Sequence, residues 1–105
     1  NFDYFWQEPE YDGELLKWKK TDLLQSKMAL EKVLEILDKI DFEESKLRTE
    51  LDELGKELDD RGLAYWPLRV ALTGKEKSPD PVEIACVLGK KESLKRINNA
   101  INKLI

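Results

Sequence analysis

The apolar residues of this chain recur three and four positions apart, and no stretch alternates apolar with polar residues as a half-buried strand would. Leu23, Leu30, Val33, Leu34, Leu37 and Ile40 fall on one stripe of a helix. Leu47, Leu51, Leu54 and Leu58 step by four, three and four residues and form a second stripe. The spacing predicts two antiparallel amphipathic helices. With no strand pattern to compete, it predicts an all-α domain, a bundle of about five to six helices with a small helical subdomain at its C-terminal end. Either stripe could also serve as a coiled-coil seam, but both are short, which favours a core within the chain.

Local breakers divide the chain into three parts. Residues 1–12 are aromatic and acidic (Phe2, Tyr4, Phe5 and Trp6, then Gln7-Glu8-Pro9-Glu10-Tyr11-Asp12), and Pro9 bars a continuous helix through them. They read as an extended connector that lays aromatics against the body. Residues 13–62 read as a helical hairpin. A short helix is expected over 14–19, with Leu15 and Trp18 on one side. Thr21 is placed to cap the next helix, and Asp41 begins an Asp-x-x-Glu capping box with Glu44. Gly62, free to adopt positive φ, is expected to end the second long helix. Residues 63–105 are built from shorter pieces. A helix over 64–73 stops at Gly74, and a basic loop with Lys75 and Lys77 follows. Asp80-Pro81-Val82-Glu83 then reads as a helix start, with Asp80 as N-cap, Pro81 in the first position and Glu83 closing the box. Leu88-Gly89 ends that helix, and a last one over 91–104 buries Leu94, Ile97, Ile101 and Leu104.

Several function classes are excluded by what the chain lacks. There is no histidine, which removes His–Cys zinc sites, histidine acid–base catalysis and Ser–His–Asp triads. Cys86 is the only cysteine and sits in Ile84-Ala85-Cys86-Val87-Leu88, so it reads as a buried, inert thiol. One cysteine cannot form an intrachain disulfide, which fits a reducing, cytoplasmic setting. No apolar run approaches the ~18–20 residues of a membrane span. The 105 residues suffice for one domain, and the chain, which begins at Asn1 rather than Met, reads as a fragment of a longer polypeptide.

Charge is distributed unevenly. Residues 1–60 carry 9 Lys/Arg against 18 Asp/Glu, whereas residues 61–105 carry 9 Lys/Arg against 4 Asp/Glu. A basic half of this kind can bind a polyanion, or can simply complement the acidic half. Within it, Tyr65, Arg69 and Thr73 lie four apart and share a helix face. That face offers a ring for stacking, a forked cation and a hydroxyl, the groups that single-stranded RNA recognition uses. The alternative reading pairs Arg69 with a carboxylate and sets Tyr65 over the core. Lys75, Lys77, Ser78, Pro79 and the Asp80-Pro81 helix start follow directly, and a helix start can receive phosphate or base oxygens. It is equally ordinary turn and cap chemistry. Lys90, Lys91, Lys95 and Arg96 form a third basic group, either a solvated face or a phosphate-tracking one. No nucleophile–base arrangement suggests a free-standing enzyme.

Pro67-Leu68-Arg69-Val70-Ala71-Leu72-Thr73-Gly74, then Ser78-Pro79, Glu83-Ile84, Leu88-Gly89-Lys90 and Leu94-x-Arg96-Ile97, closely resemble the end of bacterial-type glutamyl-tRNA synthetases. Phe5-Trp6 and Glu8-Pro9-Glu10-Tyr11-Asp12 resemble the connector of that family, so the resemblance spans essentially the whole chain. It implies the C-terminal, all-α anticodon-binding domain of such an enzyme, which reads the second and third anticodon bases of tRNA-Glu. The implied base contacts are Arg69, Ser78, Pro79 and Pro81, with Tyr65, Thr73, Lys75, Lys77, Lys90 and Lys91 in supporting or phosphate roles. The implied partners are tRNA and the catalytic domain of the same polypeptide, in a monomer. The family often has Thr at Ser78, and a small and then a bulky apolar residue where Asp80 and Pro81 stand. The family's catalytic signatures are absent from this sequence, so the chain alone is expected to have no cofactor and not to aminoacylate, whereas its parent would use ATP and Mg. The competing expectation is a helical module that packs on a protein partner through the aromatic segment 2–11.

Overall fold

The computed structural model describes residues 3–105. Five α-helices follow one another as α1 (Leu23–Asp38), α2 (Glu44–Glu57), α3 (Arg61–Thr73), α4 (Pro81–Leu88) and α5 (Lys90–Lys103). Two short 3-10 turns, Asp3–Phe5 and Gly13–Leu16, precede them, and the described residues contain no strand. The all-α expectation therefore holds. The leucine stripes form the core: Leu30, Val33 and Leu37 of α1 and Leu47, Leu51 and Leu54 of α2 are essentially without solvent contact. Fully burying one such side chain stabilises by about 1.5–3 kcal/mol. They meet Leu68 and Leu72 of α3, Ile84 of α4 and Ile97 of α5 in one continuous cluster that also takes in Tyr4 and Leu16. α3 lies at the centre and packs on each of the other four helices.

Local chemistry explains where the helix ends depart from expectation. The first short element is a 3-10 turn ending at Leu16, not a helix to residue 19. The cap of α1 is Asp22, not Thr21: the Asp22 carboxylate accepts from the Gln25 N–H at 2.8 Å, and the Gln25 side chain accepts in return from the Asp22 N–H at 3.0 Å. Thr21 instead donates its hydroxyl to the Trp18 carbonyl. The expected box at Asp41 does not form. The Glu43 N–H bonds to the Asp41 carbonyl in a tight turn, so α2 begins only at Glu44, without a side-chain cap.

Between α2 and α3 the positive φ belongs to Asp59, at 55°, and not to Gly62. Asp60 then caps α3 by accepting from Leu63, so α3 starts three residues earlier than expected and runs across the 62/63 boundary. Gly62 lies in its first turn for a packing reason: a Cβ there would stand 2.1 Å from Cε2 of Trp18. Pro67, inside α3, has no N–H to give to the carbonyl one turn back, yet the helix continues to Thr73. Further on, Asp80 caps α4 without a reciprocal bond from Glu83. α5 starts at Lys90, and it buries Ser93, Arg96 and Ala100 more completely than Leu94 or Leu104. Cys86 is half-buried rather than buried, and the partial burial pushes its thiol pKa up.

Candidate nucleic-acid interface

The segment joining α3 to α4 is fastened at several points. Gly74 ends α3 at φ 70°, and its N–H bonds to the Val70 carbonyl at 2.7 Å. Thr73 is buried; its hydroxyl donates to the Arg69 carbonyl at 2.8 Å and accepts from the Lys75 N–H at 3.1 Å. Arg69, one turn back, reaches along the helix to the loop. Its Nη1 donates to the Ser78 carbonyl at 2.6 Å and to the Ser78 hydroxyl at 3.1 Å. Bonds from a charged donor are roughly twice as strong as neutral ones, so this is a firm clasp. The Ser78 hydroxyl in turn donates to the Pro79 carbonyl at 2.9 Å.

Asp80 is held on both carboxylate oxygens. Oδ1 accepts from the Val82 N–H at 2.8 Å, and Oδ2 accepts from Nη1 of Arg48, on α2, at 2.7 Å. A second nitrogen of Arg48 bonds to Glu44 at 3.1 Å. The acid at Asp80 is thus occupied by a cap and a cation rather than presented to an incoming phosphate. Pro81 is buried under the start of α4, while Pro79 is exposed beside Ser78. The surface therefore offers a half-buried guanidinium, a hydroxyl and a rigid apolar ring within one short stretch.

The structure brings Arg69 and Ser78 together beside Pro79 and Lys77, whereas several other expected contacts are buried or turned to other partners. Pro81 and Thr73 are buried, so neither presents a side chain to solvent. The Val82 N–H at the helix start is already taken by Asp80. Tyr65 turns to α2, where its hydroxyl donates to Asp52 at 2.6 Å and the Arg61 guanidinium lies 4.5 Å from its ring centroid. Burial and that bond push the phenol pKa up, while the Tyr65 bond draws the Asp52 pKa down.

Much of the basic surplus is likewise occupied. Lys75 pairs with Asp3 at 3.7 Å, and Lys95 with Glu8 at 3.4 Å. Lys90 donates to the carbonyls of Asp38 and Ile40 at 2.8 and 3.0 Å, closing the end of α1. Arg96 is only 3% exposed and bonds to Glu92 at 2.7 Å and to the Leu72 carbonyl at 2.7 Å. It is an internal tie, not part of a solvated basic face. Among the described residues, Lys77 and Lys91 are the cations of this half that lack an ionic, hydrogen-bond or ring partner, and both are exposed.

Arg48 is the residue that sequence reasoning missed. It lies 32 positions from Asp80, in the acidic half, and no local pattern marks it. The aromatic opening mostly packs inward: Tyr4 is buried against Phe5, and the Lys103 ammonium sits 4.8 Å from the Tyr11 ring centroid. Trp6 alone among the described aromatics of that segment stands out, 78% exposed. Phe2 lies outside the described residues.

A family model described as the anticodon binding domain matches residues 1–101. The chain is 40% identical over 107 residues to the glutamate–tRNA ligase of Clostridium tetani, covering 97% of this chain and 22% of that protein. It is 32% identical over 101 residues to glutamate–tRNA ligase 2 of Caldanaerobacter subterraneus, covering 94% and 20% respectively. The chain thus spans about a fifth of the length of these curated relatives. A crystal structure of a glutamate tRNA ligase from Elizabethkingia meningosepticum shares the fold with a TM-score of 0.84, over 98% of this chain and 20% of that one, at 24% identity.

Proposed function

We propose, since this chain belongs to the anticodon binding domain family, that it binds the anticodon loop of tRNA-Glu and reads the second and third bases through Arg69, Ser78 and Pro79. The observation that carries this reading is the Arg69–Ser78 clasp. One nitrogen of the planar guanidinium fork holds the loop at 2.6 and 3.1 Å, and Arg69 is half-buried while Pro79, next to Ser78, is exposed. Unpaired bases are recognised by such a fork together with a flat apolar contact, and no deformation of a duplex is needed. Lys77 supplies a cation for the RNA backbone next to the clasp, and Lys91 supplies a more distant one. Pro81 supports the site from beneath by starting α4, and Thr73 by ending α3, rather than by touching RNA.

On the same reading, the polypeptide that carries this domain is a cytoplasmic glutamate–tRNA ligase whose ATP, Mg and glutamate chemistry takes place outside this chain. The relatives that support it are about five times longer than the chain. The test is binding of a tRNA-Glu anticodon stem-loop to the Arg69→Ala variant. Loss of a specific base contact weakens cognate binding by about 1–3 kcal/mol. Unchanged affinity in a folded variant would remove Arg69 from the site. Lys77→Ala should instead weaken all loops alike and reduce the salt dependence.

A further inference from the structure

Two arginines from different helices hold the loop between α3 and α4. Arg69 fixes it at Ser78, on the near side of Pro79, and the Ser78 hydroxyl reaches on to the Pro79 carbonyl at 2.9 Å. The second tether comes from α2. Arg48 holds Asp80 Oδ2 at 2.7 Å while the Val82 N–H holds Oδ1 at 2.8 Å. Glu44, one helical turn before Arg48, keeps its guanidinium aimed by a bond of 3.1 Å. α2 is a stiff anchor, because Leu47 and Leu51 beside Arg48 are completely buried.

We propose that Arg48 is a positioning residue for base discrimination: with Arg69 it forms a double arginine latch that sets Ser78 and Pro79 at a fixed distance from the unpaired base. The proposal rests on the anticodon-reading function proposed above. It assigns to the acidic half of the chain a share in that function, through a residue that touches Asp80 and need not touch RNA. Contacts that must tell one base from another depend on geometry held to about half an ångström by a supporting shell of bonds. Arg48 also neutralises Asp80, whose charge would otherwise repel an RNA backbone brought near the loop. Geometry and charge neutralisation make different predictions.

The experiment compares a tRNA-Glu anticodon stem-loop with a loop whose second and third bases are exchanged, titrated into the 105-residue chain and its variants. Arg48→Met is expected to cut the cognate preference by about tenfold, mostly through the cognate loop, the size of effect that misplacing one specific contact produces. Arg48→Lys, which keeps the charge but not the fork, is expected to recover part of it. Arg48→Met combined with Asp80→Asn restores neutrality, while the amide oxygen of the new side chain still caps α4. This double variant is expected to stay low. Full recovery in it would overturn positioning in favour of simple neutralisation. An equal loss on both loops in Arg48→Met would make Arg48 a backbone cation and also overturn the proposal, as would an unchanged preference. If the unsubstituted chain itself showed no preference, the anticodon reading would fail and the latch with it. A failure confined to the Arg48 variants leaves that reading intact.

Discussion

Gly62→Ala in the first turn of α3 separates two physical arguments by sign. Helix propensity alone favours the change, since Ala exceeds Gly by about 1 kcal/mol inside a helix. The packing opposes it: the added Cβ would meet Trp18 at 2.1 Å from Cε2, 2.2 Å from Cζ2 and 2.4 Å from Nε1. Trp18 cannot swing aside freely. Its Nε1 donates to Asp60 at 3.1 Å, and its ring packs on Trp66 at 5.5 Å between centroids. Moving it gives up a hydrogen bond of about 1 kcal/mol and an aromatic pair of about 0.5–1.5 kcal/mol. Leaving it in place overpacks the contact between Trp18 and α3, at about 1–3 kcal/mol. Against the propensity gain of about 1 kcal/mol, the first route leaves a net loss of about 0.5–1.5 kcal/mol and the second up to about 2 kcal/mol. For a domain of this size a net loss of about 1 kcal/mol lowers Tm by roughly 4–8 °C, measured as thermal unfolding by far-UV circular dichroism. In a Trp18→Ala background the same substitution should be neutral or stabilising. A higher Tm for Gly62→Ala alone would refute the packing account.

Arg96→Ala should destabilise by about 1–3 kcal/mol in urea unfolding, since it removes a buried side chain and its bond to the Leu72 carbonyl, whereas Lys91→Ala should stay within about 0.5 kcal/mol. Near-equal effects would return Arg96 to the surface. The tyrosines predict an alkaline limit. Burial pushes Tyr11 up to about 12 from its ordinary value of 10.0. The folded state keeps this phenol protonated where the unfolded chain releases the proton, so the contribution of Tyr11 is intact below pH 10.0 and is lost as pH rises towards about 12. Tyr11→Phe should therefore lose less stability than the parent between pH 10.0 and about 12, read as Tm at each pH. Equal losses would show that Tyr11 titrates as it does in the unfolded chain.

The sequence made the architecture legible because apolar periodicity reports burial directly, and Leu30, Val33, Leu37, Leu47, Leu51 and Leu54 all occupy the core it indicated. Helix ends were less legible, because Thr21 and Asp22, or Asp41 and Glu43, offer competing oxygens only a residue or two apart. Which of them caps depends on the turn entering the helix. Gly62 shows a related ambiguity: a glycine can serve positive φ or a close approach, and only the position of Trp18 decides between them. In the candidate site, Arg69, Ser78 and Pro79 are close in sequence and emerged together. Helical spacing put Tyr65 and Thr73 near Arg69 but could not show that Asp52 and the Arg69 carbonyl had already taken their hydroxyls. The basic surplus was overstated for the same reason, since Lys90 and Arg96 spend their donors inside the fold. Arg48 was invisible because its partner lies on another helix.

Whether this surface reads bases or only charge can be decided in one titration. The tRNA-Glu anticodon stem-loop, and a loop with its second and third bases exchanged, are each titrated into the 105-residue chain at low and moderate salt. Base reading predicts binding that weakens with salt for both loops, together with a preference for the cognate loop that survives at each salt concentration. Equal binding to the two loops would contradict it and leave only an unspecific cationic surface.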